Sequence, residues 1–200
     1  MPVRWIADRF YPLADALAAI ELNGLVRGAR LVDDLLKSAQ VRVLSSEVYS
    51  GPRQMVVLDG EVEALNRAFE VALAVGGDRV VDAMLLAHAH PGLLAALGGQ
   101  MMKSPGLDDA ILMVETETLA STFRAVDASL KAVPVFLTSW RLGRGMAGRG
   151  VFALRGEHAN LEAAEEVIVE AAGAGLLECQ LIPRPDPLGF WSEPFGQGAS

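Results

Sequence analysis

The sequence predicts an α/β (α+β) chain built from two tandem copies of one module, each with the element order βαββαβ. Three observations support this prediction. The chain repeats itself at an offset of 94 residues, both copies show the same succession of apolar patterns, and a linker containing glycine and proline separates them. With 200 residues, of which 52% are hydrophobic, the chain can bury a core in each module.

The repeat is clearest between residues 21 and 45, where shifting the chain by 94 residues gives nine identities in 25 positions. The identical pairs include Glu21 and Glu115, Leu25 and Leu119, Arg30 and Arg124, and Lys37 and Lys131. After residue 48 the offset becomes 96, so the second module carries two extra residues between the matching blocks. An even insertion at a hairpin tip leaves the faces of both strands unchanged, and we therefore predict a variable loop there.

The first half of each module is predicted as strand, helix and strand. Short apolar runs predict the first strand at Ala16–Leu22 and Ile111–Thr116. Apolar residues at helical spacing then predict helices over Leu25–Ser38 and Leu119–Ala132. Further apolar runs predict second strands at Val41–Val48 and Val135–Leu142.

The second half repeats the same three types of element. Third strands are predicted at Gln54–Leu58 and Gly150–Leu154. Helices follow at Glu61–Val75 and Glu157–Ala172, with carboxylates in their first turns, where the helix dipole favours them. Last strands at Val80–Leu86 and Leu176–Ile182 complete an order that is ferredoxin-like.

The linker places the domain boundary near residue 103. A short helix, Pro91–Leu97, precedes a stretch over residues 98–109 with glycine and proline. We assign residues 1–103 to the first domain, with an N-terminal extension and the linker, and residues 104–200 to the second. The C-terminal tail, residues 183–200, contains four prolines and is predicted to be irregular.

Composition narrows the function classes. The formal charge of −8 argues against nonspecific binding of nucleic acid or anionic lipid. Neither an apolar run long enough to span a membrane nor a secretion signal is found, so we expect a cytoplasmic protein. Cys179 is the single cysteine, which rules out an intrachain disulfide and argues for a small packed hydrophobe.

Catalytic and cofactor patterns are weak. The glycines 143, 145 and 148 match G-x-G-x-x-G, but a strand follows them where the dinucleotide fingerprint needs a helix. His88 and His90 have no further metal ligands nearby, so a surface or capping role is favoured, and His158 is interpreted as an exposed or packing residue. We expect no catalytic site, no metal and no cofactor. Glu21 and Glu115 recur in both modules, which indicates a fold or interface role.

Four elements in the second module, in this order and spacing, carry a family resemblance. They are the acidic end of the first strand, the helix end Ala125-x-Asp127-x-x-x-Lys131, the turn Arg155–Glu157 and the closing Ile182–Pro185. Residues 114–185 resemble the bacterial microcompartment shell domain, and the first module is a weaker match. It departs from the family pattern in having Asp59 at the turn arginine and Ala87 and His88 at the closing Pro-Arg.

The resemblance implies a trimer of tandem-domain chains that imitates a hexamer and tiles into flat facets with other shell proteins, both hexameric and pentameric. It also implies tile-edge roles for Lys37, Lys131 and Arg184. A lysine in the last turn of a helix also complements the dipole, so the duplication is what favours the tiling role for the two lysines. No such role is transferred to His88.

The resemblance further places a central pore at the loop between the second and third strands, which is Tyr49–Pro52 in the first module and Gly143–Arg149 in the second. The predicted pore-lining residues are Ser50, Gly51, Pro52, Arg144, Gly145, Met146, Ala147 and Gly148. Arg141, Arg144 and Arg149 would favour small polar or anionic metabolites, unless Arg141 and Arg149 point towards carboxylates elsewhere. Neither loop has a cysteine, which argues against the iron–sulfur cluster thought to occupy the pore of some tandem shell proteins.

Two other functions stay open from the sequence. The main alternative is a trimeric ligand-binding regulator built on ferredoxin-like modules, with effector sites between subunits. A weaker alternative is an enzyme acting through the arginine-rich loop. The tile-edge lysines and the closing Ile-Pro-Arg-Pro favour the shell protein, because a regulator has no use for a tiling rim.

Overall fold

A computed structural model describes residues 13–103, 110–143 and 145–186. The first module contains β1 (Ala16–Asn23), α1 (Leu25–Ser38), β2 (Arg42–Ser50), β3 (Arg53–Gly60), α2 (Val62–Gly76) and β4 (Val80–Leu86). Helix α3 (Pro91–Leu97) precedes the linker. The second module contains β5 (Ala110–Thr116), α4 (Leu119–Ala132), β6 (Phe136–Leu142), β7 (Gly150–Gly156), α5 (His158–Ala172) and β8 (Leu176–Pro183).

Each module forms one antiparallel four-stranded sheet, in the order β2-β3-β1-β4 and β6-β7-β5-β8. The pairing irregularities also repeat. The register between β1 and β4 shifts after Glu21, and that between β5 and β8 shifts after its counterpart Glu115. The predicted duplication, the βαββαβ order and the α+β class are therefore confirmed.

Helix bounds agree closely with the sequence patterns. Helices α1, α3 and α4 begin and end at the predicted residues. Helices α2 and α5 begin one residue later than predicted, because Glu61 and Glu157 have extended backbone and precede the first helical residue.

The predicted domain boundary falls where the described residues stop, at 103, and stays a prediction. The tail lies outside the described residues from 187 onwards.

Strand β1 is buried on both faces because it separates two cores. Its alternating side chains Ala18, Ile20 and Leu22 pack with α1 and α2 of the first module. Leu17 and Ala19, on the opposite face, belong to a core that also contains second-module residues. The two modules of one chain therefore share buried apolar surface, and α4 lies against β1, β4 and α3.

Candidate functional site

The loop between the second and third strands differs between the modules as predicted. In the first module the regular register ends at Val48 with Gln54, and residues 49–53 beyond it include one further pair, Ser50 with Arg53, after a register shift. In the second module they close at Leu142 with Gly150, enclosing residues 143–149. We call these segments loop 1 and loop 2. The two additional residues of the second module lie in loop 2, so both sheets keep the same register on either side of it.

Loop 2 has a tightly hydrogen-bonded backbone. Gly143 donates its N–H to the Arg149 carbonyl at 2.9 Å, and the N–H groups of Met146 and Gly148 donate back to the Gly143 carbonyl at 3.2 Å each. Gly143, Gly145 and Gly148 have positive φ, as does Ala147 at 55°, a conformation that costs an L side chain energy. The predicted residues Gly145, Met146, Ala147 and Gly148 thus form one turn. Arg144 lies outside the described residues.

Loop 1 is a short hairpin turn whose backbone pairs at Ser50 and Arg53, so that Gly51 and Pro52 form its tip. Gly51 has φ of 57°, and a Cβ atom placed there would meet no atom within 4 Å. The tip of loop 1 therefore projects into open space in the isolated chain.

The structure brings the two loops together. The Tyr49 ring lies against Gly143, where an added Cβ would stand 2.1 Å from the ring carbon Cδ1. Arg53, the last residue of loop 1, donates to the Ala147 carbonyl at 3.4 Å and to the Glu117 carbonyl at 3.2 Å. Only glycine at position 143 allows this approach of the ring to the backbone.

The arginines around the loops are partly balanced by carboxylates. Arg149 contacts Glu115 at 3.0 Å and Glu117 at 3.6 Å, and Arg53 lies 3.6 Å from Glu117. Of the two directions considered for Arg149, the structure shows the one towards carboxylates. Sequence reasoning did not single out Arg53 or Glu117, although Arg53 is the counterpart of Arg149 at the 96-residue offset.

The predicted tile-edge lysines have equivalent surroundings. Lys37 donates to Asp33 and Lys131 to Asp127, each at 2.5 Å and one helical turn away. The hydrogen bond to Asp33 raises the pKa of Lys37. The side chains of Lys37 and Lys131 are 69% and 44% exposed. The aspartate of the helix-end motif therefore orients the lysine.

Asp127 differs from Asp33 in also accepting a hydrogen bond from the backbone just before α3. Its side chain is 5% exposed, and it accepts the His90 N–H at 2.6 Å. His90 in turn caps α3, because its Nδ1 accepts the Gly92 N–H at 3.0 Å. The capping role expected from the sequence is confirmed for His90.

Arg184 lies at the exposed end of β8 with a positive φ of 46°. Only two described non-glycine residues, in the ranges 13–103, 110–143 and 145–186, have positive φ, and Ala147 of loop 2 is the other. At the corresponding turn of the first module, the buried Asp59 pairs with Arg42 and accepts the Ala14 N–H at 3.0 Å. Asp59, which departs from the family pattern, therefore forms an ion pair inside the first module.

A polar cluster that the sequence did not predict in detail joins the modules. Glu21 is fully buried, and its Oε1 accepts the Ala120 N–H at 2.8 Å, near the start of α4. Its Oε2 has no hydrogen-bond partner. Burial raises the pKa of Glu21 to about 7, against the opposing effect of that backbone hydrogen bond.

An ion pair lies beside Glu21. Arg124 of α4 donates to the two carboxylate oxygens of Asp82 at 3.1 and 3.0 Å, and to the Ala83 carbonyl at 3.1 Å. The Thr118 hydroxyl donates to Asp82 at 2.5 Å. Although burial opposes them, these hydrogen bonds lower the pKa of Asp82. The interface role indicated by the recurrence of Glu21 thus has a structural basis.

The structure also shows the surroundings of the other residues that the sequence analysis considered. His158 begins α5 and lies 3.3 Å from Glu162. Burial raises the pKa of the Cys179 thiol to about 12, which leaves it an unreactive thiol. Loop 2 leads into β7, as expected from the G-x-G-x-x-G comparison. Across residues 13–103, 110–143 and 145–186, no cluster of His, Cys, Asp or Glu could hold a metal ion.

None of the helices in the described residues is both long and apolar enough to cross a membrane.

Known proteins that are similar to this chain are shell proteins of the BMC domain family. The BMC domain family matches residues 16–89 and 110–185. The bacterial microcompartment shell protein PduT of Citrobacter freundii is 30% identical over 175 residues, which cover 86% of this chain and 94% of that protein. The carboxysome shell protein CsoS1 of Prochlorococcus marinus is 35% identical over 86 residues, or 42% of this chain and 84% of that protein.

Two solved structures share the fold. A microcompartment protein from Desulfitobacterium hafniense DCB superimposes with a TM-score of 0.73 and 27% identity, covering 86% of this chain and 96% of that one. The fused permuted hexameric shell protein MSM0275 from the RMM microcompartment gives a TM-score of 0.60 at 22% identity, covering 82% and 84%. At that identity the second comparison concerns the fold alone.

Proposed function

The chain belongs to the BMC domain family and is a structural component of a bacterial microcompartment shell, and we propose that three copies form a pseudohexagonal facet tile with a central pore. The tile joins other shell proteins, hexameric and pentameric, through edges that include Lys37, Lys131 and Arg184. It has no catalytic role of its own. The alternative of a ligand-binding regulator finds no support among the relatives.

The observation that carries this proposal is the contact between loop 1 and loop 2. The two modules lie side by side with these loops touching at Tyr49 and Gly143. This contact supports a chain that contributes two adjacent sectors of a ring. Repeating the arrangement by threefold rotation surrounds an axis with six loops and leaves no open interface. The proposed pore-lining role of residues 50–52 and 144–148 depends on that arrangement.

The first expected result concerns mass. Three chains of 21.2 kDa give a particle of about 64 kDa in solution. Multi-angle light scattering after size exclusion measures this directly. A stable monomer or dimer at the concentration used for assembly would contradict the proposed tile.

The second expected result concerns the charge of the pore. Arg149 is balanced by Glu115 and Glu117, so we propose that Arg144 supplies the positive ring that admits small anionic metabolites. Guanidinium groups keep their protons, with pKa values above ~12, and three of them recruit anions. Arg144→Glu is expected to reverse the preference of assembled shells for anionic over cationic probes of matched size.

Probe uptake into shells that contain this chain as the only tandem-domain tile measures that preference. Arg67→Glu, on the exposed side of α2, is the matched control and should leave uptake unchanged. Equal uptake of both probes by the wild type, or an unaltered preference in Arg144→Glu, would remove the anion pore while leaving the tile intact.

A further inference from the structure

Loop 2 has a backbone conformation that its own residues disfavour. Ala147 has a φ of 55°, in the left-handed region that L side chains rarely adopt. Two N–H groups of the same turn, those of Met146 and Gly148, share one acceptor, the Gly143 carbonyl, at 3.2 Å each. A strained residue keeps such a conformation only where surrounding contacts enforce it, so contacts from outside the loop matter here.

Arg53 of the first module supplies contacts of this kind. Its Nη1 atom donates to the Ala147 carbonyl at 3.4 Å and to the Glu117 carbonyl at 3.2 Å. Its Nη2 atom lies 3.6 Å from the Glu117 carboxylate. One guanidinium group therefore ties the strained residue of loop 2 to the residue that follows β5.

The side chain of Arg53 also packs against the loop backbone. A Cβ atom added to Gly148 would stand 2.7 Å from Arg53 Cδ and 2.8 Å from Nη1. The Tyr49 ring lies equally close to Gly143, at the other end of loop 2. The first module therefore contacts loop 2 at both ends, and glycine is the residue that permits each approach.

The equivalent positions of the second module are occupied differently. Gly143 takes the place of Tyr49 directly after the last regular strand pair, and it has no side chain. Arg149 takes the place of Arg53 and contacts Glu115 of its own module at 3.0 Å. The longer loop is thus held by the module that carries the shorter one.

We infer that Arg53 is the positioning residue of loop 2, because it holds Ala147 in its left-handed conformation and thereby fixes the place of residues 145–148. Its Nη1 atom carries two N–H groups, one for each of the two carbonyls. The consequence for the pore rests on the proposed function, whereas the positioning of loop 2 is a property of the chain alone.

Removing the donors tests this role. Arg53→Met keeps an aliphatic side chain beside Gly148 but has no N–H donor. The backbone amides of residues 143–149 are then expected to exchange with deuterium about tenfold faster or more, the effect of losing hydrogen bonds from a charged group. Arg53→Lys supplies donors again and is expected to exchange within about threefold of the wild type. Hydrogen-exchange mass spectrometry of the full-length protein measures both.

Two controls separate positioning of the loop from a general loosening between the modules. The Ala120 amide donates to Glu21 at 2.8 Å and reports on the contact between the modules. Its exchange should be the same in Arg53→Met as in the wild type. Arg67→Met, on the exposed side of α2, should leave the exchange of loop 2 unchanged.

Probe uptake measures the consequence for the pore, in shells that contain this chain as the only tandem-domain tile. In Arg53→Met the preference for anionic over cationic probes is expected to fall about threefold, because a loop that opens holds Arg144 at no fixed place in the ring. Light scattering on the same variant shows whether the trimer is kept.

The outcomes separate this role from the proposed function. Exchange of loop 2 at the wild-type rate in Arg53→Met would overturn the positioning role and leave the tile and its pore as proposed. Equal rates in Arg53→Lys and Arg53→Met, or faster exchange at Ala120 as well, would equally overturn it. Faster exchange confined to loop 2 with an unchanged probe preference would confirm the positioning and contradict the pore-lining role of the loop.

Discussion

Replacing Lys37 and Lys131 by alanine together is expected to abolish the formation of sheets and incorporation into shells while the trimer stays folded. The two lysines occupy equivalent helix ends, are exposed, and are oriented by an aspartate one turn earlier. Each edge contact need contribute only about 1–2 kcal/mol, because a facet repeats it many times and the loss multiplies. Electron microscopy of the purified variant, with light scattering for the trimer, measures both properties.

The chain supplies its own matched control, since Lys103 is its third lysine and is exposed. Lys103→Ala should assemble like the wild type. Lys131→Ala leaves the nearly buried Asp127 without its ammonium partner, so about 1 kcal/mol of folding stability should be lost at that site alone. Lys131→Arg keeps the charge beside Asp127, and assembly of that variant distinguishes charge from ammonium geometry. Normal sheets from the double alanine variant would exclude the tile-edge role.

The fold could be predicted from the sequence because its signals are local and occur twice. The bounds of α1 and α4 follow from apolar residues at helical spacing, and the repeat supplied independent support for each element. The change of offset from 94 to 96 located loop 2, since an insertion of even length preserves the faces of β6 and β7.

The polar contacts between the modules could not be predicted in the same way. Arg53 and Glu117 meet across 64 residues of sequence, and their pairing depends on how the modules pack. The direction of Arg149 was open for the same reason. Its side chain could follow the loop or turn back to Glu115, and only the position of β5 beside β7 decides between them.

The burial of Glu21 likewise depends on the neighbouring module. Its counterpart Glu115 has the same place in the repeat but is 33% exposed and paired with Arg149. The identity of the two residues therefore predicted a shared role but not the raised pKa of Glu21. What differs is that α4 covers Glu21 within the chain.

The free energy of unfolding of Glu21→Gln, taken relative to that of the wild type, is expected to be larger at high pH than at low pH. Burial raises the pKa of Glu21 from 4.5 to about 7 in the folded state. A group whose pKa is raised by folding contributes its stability below the pKa of the unfolded chain, near 4.5, and that stability is lost as the pH rises through about 7. The shift corresponds to roughly 3 kcal/mol in the free energy of unfolding.

The amide that Glu21→Gln introduces adds a cost that does not vary with pH, because its N–H group would occupy the place where Glu21 Oε2 has no hydrogen-bond partner. The informative quantity is therefore the free energy of unfolding of Glu21→Gln minus that of the wild type, measured in urea at about pH 5 and about pH 8. This difference should increase by about 2–3 kcal/mol between the two pH values. Glu166→Gln, on the exposed side of α5, should give the same difference at both. A constant difference for Glu21→Gln as well would mean that the carboxyl group is not buried between the modules in solution.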